Sequence, residues 1–183
     1  METGRDSVET SSQALGPYVV SPLPTWSWTS QAPSETVALG ERLGAVLAPG
    51  SFLALDGPLG AGKTTFCRGL GRGLAVKEPL ASPTYLLCRE YTGRHEVLHF
   101  DAYFQERLDS LFMEGLAQEF RGKVVLMEWA EKASAWLLDD RIQATLEPGQ
   151  EEEERRVTLT ATGPFSEKLL NQAFGAPVLL GTS

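Results

Sequence analysis

Cysteine and histidine are scarce in this chain, which limits the chemistry available to it. There are two cysteines, Cys67 and Cys88, and two histidines, His95 and His99. Their spacing matches no common pattern of metal ligands, so a histidine-based metal site is not expected. Two isolated cysteines favour reduced thiols in or near the core of a cytosolic protein over a disulfide framework.

Long apolar runs are also missing. The sequence has no stretch of about eighteen consecutive apolar residues, which a membrane-spanning helix requires. The first residues lack the basic start and the apolar stretch of a secretory signal. We therefore expect a cytoplasmic protein without a membrane span.

Positive charge is in short supply. Lys and Arg number 16 against 24 Asp and Glu, for a net charge of −8. A large nucleic-acid interface needs a basic face, so this composition weighs against DNA binding and against extensive direct contact with RNA. The length of 183 residues suits one α/β domain and is too short for two full ones.

One segment carries a specific pattern. The run from Gly57 to Thr65 fits G-x-x-x-x-G-K-[ST], the phosphate-binding loop of nucleotide hydrolases and kinases. A predicted strand over 51–56 precedes it and a predicted helix over 63–75 follows it, as this motif requires. Glycines let backbone N–H groups turn toward phosphate oxygens, and the helix N-terminus attracts the same anion. The predicted nucleotide contacts are Gly57, Pro58, Leu59, Gly60, Ala61, Gly62, Lys63, Thr64 and Thr65.

Other nucleotide-binding signals are absent. No N-K-x-D motif is present to read guanine, which favours ATP over GTP. The L-S-G-G-Q stretch of transporter ATPases and a long Arg-rich lid of the adenylate-kinase kind are missing as well.

The remaining pattern predicts a three-layer α/β fold with a mixed, mainly parallel central sheet and antiparallel hairpins. Residues 1–33, rich in Ser, Thr, Pro and Gly, are predicted to be a flexible extension. Residues 34–175 form the phosphate-loop domain, and 176–183 a tail. The predicted elements after the loop helix are a hairpin of 85–91 and 96–100, a helix over 106–120, a buried strand over 123–127, an edge hairpin of 142–146 and 156–161, and a helix over 165–174. A helix over 35–48, capped by Ser34, opens the domain.

The helix predicted to follow the phosphate loop is rich in glycine. Gly69, Gly71 and Gly73 each cost about 1 kcal/mol relative to Ala in a helix interior. We therefore expect tertiary packing to compensate, with this helix backbone lying close to the sheet.

Two acidic residues follow predicted strands. Glu128 ends an apolar run, and its carboxylate is a candidate for the Mg²⁺ that Thr64 would hold. Asp101 also follows a strand, and it would orient or activate the attacking water. The alternatives are a solvated strand end for Glu128 and a helix cap for Asp101. Because ligands of open α/β sheets bind beyond the carboxyl ends of strands, both are expected on the nucleotide side.

A third candidate element is the loop of Ser82, Pro83 and Thr84. Hydroxyl side chains around a proline, soon after the phosphate-loop helix, are suited to sensing the γ-phosphate. An ordinary turn has the same composition, and the residues alone leave both interpretations open.

Taken in order, these pieces resemble the TsaE (YjeE) family, the small bacterial ATPases of tRNA threonylcarbamoyladenosine synthesis. The resemblance covers about residues 34–160. It rests on Leu39-Gly-Glu41, Gly60-Ala-Gly-Lys-Thr-Thr-Phe66, Arg68-Gly-Leu70, Ser82-Pro-Thr-Tyr85, Glu90-Tyr91, His99-Phe-Asp-Ala-Tyr103, Glu114-Gly115 and Glu128-Trp-Ala-Glu131.

The resemblance implies a phosphate-loop α/β fold that binds ATP with Mg²⁺ and hydrolyses it slowly. It also implies assembly with TsaD and TsaB, which modify the adenosine beside the tRNA anticodon, so that tRNA is reached through the complex. The implied roles are phosphate binding and catalysis for Lys63, metal binding for Thr64 and Glu128, support of hydrolysis for Asp101, nucleotide sensing for the loop from Ser82 to Tyr85, and a place beside the metal carboxylate for Trp129. The segment near Ser34 would lie by the adenine.

The chain departs from the family pattern in three places. Pro58 stands where an acidic residue is usual, and proline removes a backbone donor from the loop. Ala130 replaces a frequent proline, and the extension before Ser34 is longer than typical. Two other functions fit the phosphate loop: a small-molecule kinase, and a docking module that binds ATP without hydrolysing it.

Overall fold

A single seven-stranded sheet organises the chain. The computed structural model describes residues 23–83 and 85–177. The strand order is β1-β7-β6-β2-β5-β4-β3; β6, β2, β5 and β4 run parallel, and the outer pairs are antiparallel. The predicted mixed sheet, parallel in its centre, is confirmed. The strands are β1 (Thr25–Ser30), β2 (Phe52–Asp56), β3 (Cys88–Thr92), β4 (Glu96–Asp101), β5 (Val124–Glu128), β6 (Ile142–Pro148) and β7 (Arg155–Ala161).

Helices cover both faces of this sheet. Alternating residues of β2 enter two separate apolar cores, with Leu53 and Leu55 on one face and Phe52 and Ala54 on the other. Residues of α1, α2 and α4 contribute to the first core, and residues of α3 and both 3₁₀ segments to the second. The helical elements are α1 (Pro33–Gly44), α2 (Lys63–Gly73), α3 (Gln105–Met113), α4 (Pro164–Phe174) and the 3₁₀ segments Leu116–Phe120 and Ala130–Trp136.

The ordered domain begins earlier than the composition indicated. Thr25–Ser30 forms β1 and pairs with β7, so the predicted flexible extension is wrong for these residues, and β7 is not a sheet edge. Trp26 is 6% exposed, and its indole N–H donates to the carbonyl of Gly175 at 2.8 Å. The ring of Trp28 lies 4.4 Å from that of Phe174. Alternating tryptophans thus outweigh a polar, turn-forming composition; residues 1–22 of the extension lie outside the described residues.

Local hydrogen bonding moves three predicted boundaries. Helix α1 follows extended Ala32, not a Ser34 cap. Strand β3 starts only at Cys88, because the carbonyl of Pro83 accepts the N–H groups of residues 86 and 87 in a turn. Helix α3 ends at Met113, and Gly115, with φ +106°, separates it from the 3₁₀ segment that completes the predicted helix.

Helices α1 and α2 approach each other closely at glycines. A Cβ at Gly69 would overlap the carbonyl oxygen of Val37, and one at Gly73 would overlap that of Glu41. The helix backbone was expected to lie close to the sheet at its glycines, but at Gly69 and Gly73 the close neighbour is α1, and at Gly71 it is the side chain of Leu80. This close approach fixes the position of α2, the helix that follows the predicted phosphate loop, against α1.

Replacing Gly69 with Ala is expected to destabilise the fold by about 2 kcal/mol, because the added methyl group meets backbone that cannot move independently. Urea denaturation measures the change in the free energy of unfolding. Arg68→Ala, at an exposed position of the same helix, is the control and should change it by less than about 0.5 kcal/mol. Equal stability of Gly69→Ala and the parent would contradict this packing.

Candidate functional site

The segment between β2 and α2, predicted to bind phosphate, is a glycine-rich loop that leads into the N-terminus of a helix. Gly57 has φ +139° and Gly62 has φ +95°, a backbone region that favours glycine. A Cβ at Gly57 would also overlap the carbonyl oxygen of Leu146. The loop closes through the N–H of Ala61, which donates to the carbonyl of Pro58 at 3.1 Å. The unpaired N–H groups of the first turn of α2 therefore lie where the loop ends.

Pro58 fits this loop through its carbonyl group. Its oxygen accepts from Ala61 and from the ammonium of Lys63, while its side chain is exposed. The substitution removes one backbone N–H from the loop, as the sequence indicated. The strand, loop and helix around it are nevertheless formed.

Lys63 folds back over its own loop. Its Nζ donates to the carbonyls of Gly57 at 2.6 Å and Pro58 at 3.1 Å, and it lies 3.6 Å from the ring centroid of Trp129. Burial lowers the pKa of Lys63, and the surrounding carboxylates, Glu128 first among them, act in the opposite direction. The side chain places a positive charge inside the loop, where an anion would be received.

Thr64 and Glu128, predicted as metal ligands, lie together. The hydroxyl of Thr64 donates to the Glu128 carboxylate, 3.0 Å from Oε2 and 3.2 Å from Oε1. Glu128 is 2% exposed at the end of β5, so a solvated strand end is excluded. A hydroxyl and a carboxylate are oxygen donors of the kind that Mg²⁺ prefers.

Asp101 lies beside Glu128 at the end of the neighbouring parallel strand, where the two are paired in register. Its Oδ2 accepts from the hydroxyl of Ser82, and its Oδ1 accepts from the N–H of Tyr103, both at 2.9 Å. The residue that precedes α3 is Phe104, which makes no capping hydrogen bond through its side chain. Asp101 is therefore not the capping residue of α3, and it remains a candidate site residue beside Glu128.

The loop that carries Ser82 lies beside Asp101, at the end of β4. Ser82 contacts Asp101, and Pro83 is buried and accepts two backbone N–H groups through its carbonyl. Thr84 lies outside the described residues.

Trp129, directly after Glu128, has φ +58° and packs its ring 5.1 Å from that of Tyr103. This strained backbone turns the indole over Lys63.

Ser34, predicted to lie by the adenine, is an exposed residue in the first turn of α1. No hydrogen bond among the described residues joins it to the phosphate loop, so the structure gives this expectation no support of its own.

The sequence patterns did not predict two further sets of side-chain contacts near the loop. Arg155 donates to the carbonyl of Gly60 at 3.2 Å, which connects the start of β7 to the loop.

Asp56 accepts the N–H of Glu131 at 2.9 Å and the side-chain amide of Gln143 at 2.5 Å. Burial, and then a side-chain hydrogen bond between the carboxyl groups of Glu131 and Asp56, raise the pKa of Glu131 to about 7. Positions 56 and 131 are 75 residues apart, so no local pattern connects them.

Replacing Glu131 with Gln is expected to flatten the pH dependence of stability. The pKa of this carboxyl rises from 4.5 in its ordinary state to about 7 in the fold. The folded state thus retains a proton that the unfolded state has lost, and the free energy of unfolding of the parent falls as pH rises from about 4.5 to about 7. Urea denaturation between about pH 5 and pH 8 measures this fall. An equally steep fall in Glu131→Gln would contradict the assignment.

Cys67 and His99 also approach the site. The thiol sulfur of Cys67, a ring nitrogen of His99 and a carboxylate oxygen of Glu128 all lie within 4.8 Å of one another. The Nε2 atom of His99 is 2.9 Å from Oε1 of Glu128. His99 stands within a motif that the sequence singled out, but nothing in the sequence gave it a partner.

In the parts of the chain that the structure describes, no helix combines the length and apolar character needed to cross a membrane.

Comparison with known proteins gives a consistent result. The family model described as Threonylcarbamoyl adenosine biosynthesis protein TsaE matches residues 30–157. The tRNA threonylcarbamoyladenosine biosynthesis protein TsaE of Bacillus subtilis (strain 168) is 36% identical over 147 residues, covering 79% of this chain and 91% of that protein. The protein of the same name from Streptomyces coelicolor is 35% identical over 132 residues, covering 68% and 89%.

A solved structure extends the similarity to three dimensions. The crystal structure of Bacillus subtilis YdiB superposes with a TM-score of 0.71 at 30% sequence identity, covering 84% of this chain and 97% of that one. The resemblance drawn from the sequence motifs is confirmed, and its predicted extent of about residues 34–160 agrees closely with the matched range. This chain belongs to the TsaE family of threonylcarbamoyladenosine biosynthesis proteins.

Proposed function

We propose that this protein binds ATP with Mg²⁺ and hydrolyses it as the ATPase component of tRNA threonylcarbamoyladenosine synthesis, acting with TsaD and TsaB. The observation that carries the proposal is one cluster: Lys63 in the phosphate loop, the Thr64–Glu128 pair, and Asp101 at the next strand end. Each is a group that phosphoryl transfer to water requires.

Lys63 and the backbone of the loop would bind the phosphates. The ammonium now held by the carbonyls of Gly57 and Pro58 exchanges these neutral acceptors for charged phosphate oxygens. The first N–H groups of α2 point to the same anion, and the helix dipole adds to the attraction.

Thr64 and Glu128 fit Mg²⁺ by the chemistry of their donors. Both present oxygen atoms, and the Thr64 hydroxyl already contacts both carboxylate oxygens. When bound, Mg²⁺ would neutralise charge on the β- and γ-phosphates. The two residues come from α2 and β5, so formation of the pair requires the correctly folded sheet.

Asp101 would orient the attacking water. The residue is 1% exposed, and its carboxylate accepts from the Ser82 hydroxyl and the Tyr103 N–H, so its direction is set before substrate arrives. Because Ser82 is bonded to this carboxylate, movement of its loop toward the γ-phosphate would change the position of Asp101. This coupling gives the loop a way to sense the nucleotide.

The surface around the cluster supports assembly with other proteins. Exposed apolar side chains lie on the loops that bear the site: Leu59 is 88% exposed, Tyr85 is 85% exposed and Leu86 is 66% exposed. Aromatic and aliphatic groups of this kind form the cores of protein interfaces. The net charge of −8 disfavours a broad tRNA surface on this chain. We therefore assign tRNA recognition to TsaD and TsaB.

Product analysis tests the ATPase proposal. The protein, with Mg-ATP and with TsaD and TsaB added or omitted, should form ADP and inorganic phosphate in equal amounts. A small-molecule kinase would release less phosphate than ADP once its acceptor is supplied, and a non-hydrolysing docking module would form neither. Either of these results would overturn the proposal.

ATP is expected to bind more tightly than GTP by at least about tenfold, or about 1.4 kcal/mol. The reason is the missing N-K-x-D motif, which leaves the base site without its guanine-reading carboxylate. Calorimetric titration with each nucleotide and Mg²⁺ measures the two dissociation constants. Equal affinities would contradict the assignment of ATP.

A further inference from the structure

His99 has a position in the site that the phosphate-loop chemistry does not explain. Its side chain is fully buried in β4, two residues before Asp101. Its Nε2 lies 2.9 Å from Oε1 of Glu128. Its other ring nitrogen, Nδ1, is buried and has no hydrogen-bond partner among the described residues.

This pattern of partners fixes which nitrogen carries the proton. A proton on Nδ1 would be a buried donor without an acceptor, which is costly. A proton on Nε2 is donated to a carboxylate, which is the favourable arrangement. The geometry therefore places a proton on Nε2 of His99, which donates it to Oε1 of Glu128.

The same reasoning excludes a thiophilic metal at Cys67, His99 and Glu128, although the three lie within 4.8 Å of one another. Coordination through Nε2 would move the ring proton to Nδ1, where the described residues supply no acceptor. Histidine ligands of metals normally donate that other N–H to a partner. Burial also raises the pKa of the Cys67 thiol well above its usual range.

The two oxygens of Glu128 are thereby given different tasks. Oε1 accepts from His99 at 2.9 Å, while Oε2 has Thr64 as its nearer contact, at 3.0 Å against 3.2 Å for Oε1. We infer that His99 is a positioning residue that holds Oε1 of Glu128 and so leaves Oε2 aimed at the metal beside Thr64. The inference rests on the proposed Mg-ATP site.

Two amide variants separate positioning from a structural role. In His99→Gln the side-chain amide nitrogen falls near the place of Nε2 and can still donate to Glu128. In His99→Asn the shorter side chain puts that nitrogen near the place of Nδ1, out of reach of the carboxylate. Both replace an aromatic ring by an amide, so a merely structural role would be damaged by both.

The test measures Mn²⁺ binding by electron paramagnetic resonance, in the presence of a non-hydrolysable ATP analogue, and analogue binding without metal. We expect His99→Asn to weaken Mn²⁺ binding by about 10–100-fold, the usual cost of losing a partner of a metal ligand. His99→Gln should stay close to the parent, and metal-free analogue binding should change by less than about twofold in both. His95→Leu, at the other histidine, is the control and should match the parent.

Each other outcome has a defined meaning. Parent-like Mn²⁺ binding by His99→Asn would overturn the inference, and so would equal losses in His99→Asn and His99→Gln. Equal loss of metal-free binding would overturn it as well, since that indicates general damage to the site. A parent that binds no nucleotide would instead contradict the proposed function, so the two failures are distinguishable.

Discussion

Replacing Lys63 with Ala is expected to weaken ATP binding by at least about 100-fold, or about 2.7 kcal/mol. The ammonium is the positive charge that the loop holds between the carbonyls of Gly57 and Pro58 and the ring of Trp129. Its removal leaves backbone N–H groups and the helix dipole to bind a polyanion without that charge. Calorimetric titration with Mg-ATP measures the loss.

Lys132→Ala is the matched control for this variant. Lys132 is a second lysine beside the same aromatic pair, with its Nζ 6.0 Å from the ring centroid of Trp129 and 5.3 Å from that of Tyr103. It lies outside the loop, so its removal should change the dissociation constant by less than about threefold. An unchanged dissociation constant in Lys63→Ala would remove the nucleotide site itself from this account.

Replacing Asp101 with Ala is expected to lower the rate of ATP hydrolysis by about 100-fold or more and to leave ATP binding nearly intact. Among the hydrogen bonds of the described residues, none joins Asp101 to the loop backbone or to Lys63. Asp101 instead stands in register with Glu128, where the proposed function places the attacking water. Single-turnover hydrolysis and nucleotide titration, measured on the same preparation, separate the two effects.

Asp101→Asn distinguishes charge from geometry. An amide oxygen can still accept from Ser82 or Tyr103, so the local hydrogen bonds are largely kept while the negative charge is lost. We expect hydrolysis by Asp101→Asn to be as slow as that by Asp101→Ala. Hydrolysis at the parent rate in either variant would show that Asp101 is not catalytic.

The core of the site could be predicted because its pieces are close in sequence or end neighbouring strands. The spacing of the glycines located the loop, and Lys63 and Thr64 occupy the last two positions of the same motif. Glu128 and Asp101 followed from one rule, that carboxyl ends of parallel strands meet at one edge of a sheet. The in-register pairing of β4 with β5 then brings these two carboxylates together.

The missed contacts join positions that no local pattern connects. His99 bonds to Glu128 across 29 positions, and Asp56 bonds to Glu131 across 75. The stacking of Lys63 on Trp129 depends on a tryptophan backbone at φ +58°, a conformation that sequence patterns do not indicate. Such contacts become visible only when the sheet has brought its strands together.

The wrong prediction of a flexible segment over Thr25–Ser30 has a related cause. A segment rich in Ser, Thr and Pro has too few apolar residues to form a stable element alone. Strand β1 is instead stabilised by its contacts with other elements. Its backbone pairs with β7, Trp26 donates to Gly175, and Trp28 packs on Phe174. These partners lie more than a hundred residues further along the chain, beyond the reach of a composition argument.

The decisive measurement is the yield of modified tRNA over many turnovers in a reconstituted system of TsaD, TsaB, the threonylcarbamoyl donor, tRNA and Mg-ATP. With this protein present, modified tRNA should accumulate well beyond one equivalent per complex. Without it, or with Lys63→Ala in its place, modification should stop near the first turnover. Equal yields with and without the protein, or full activity of Lys63→Ala, would contradict a role for ATP hydrolysis by this chain in tRNA modification.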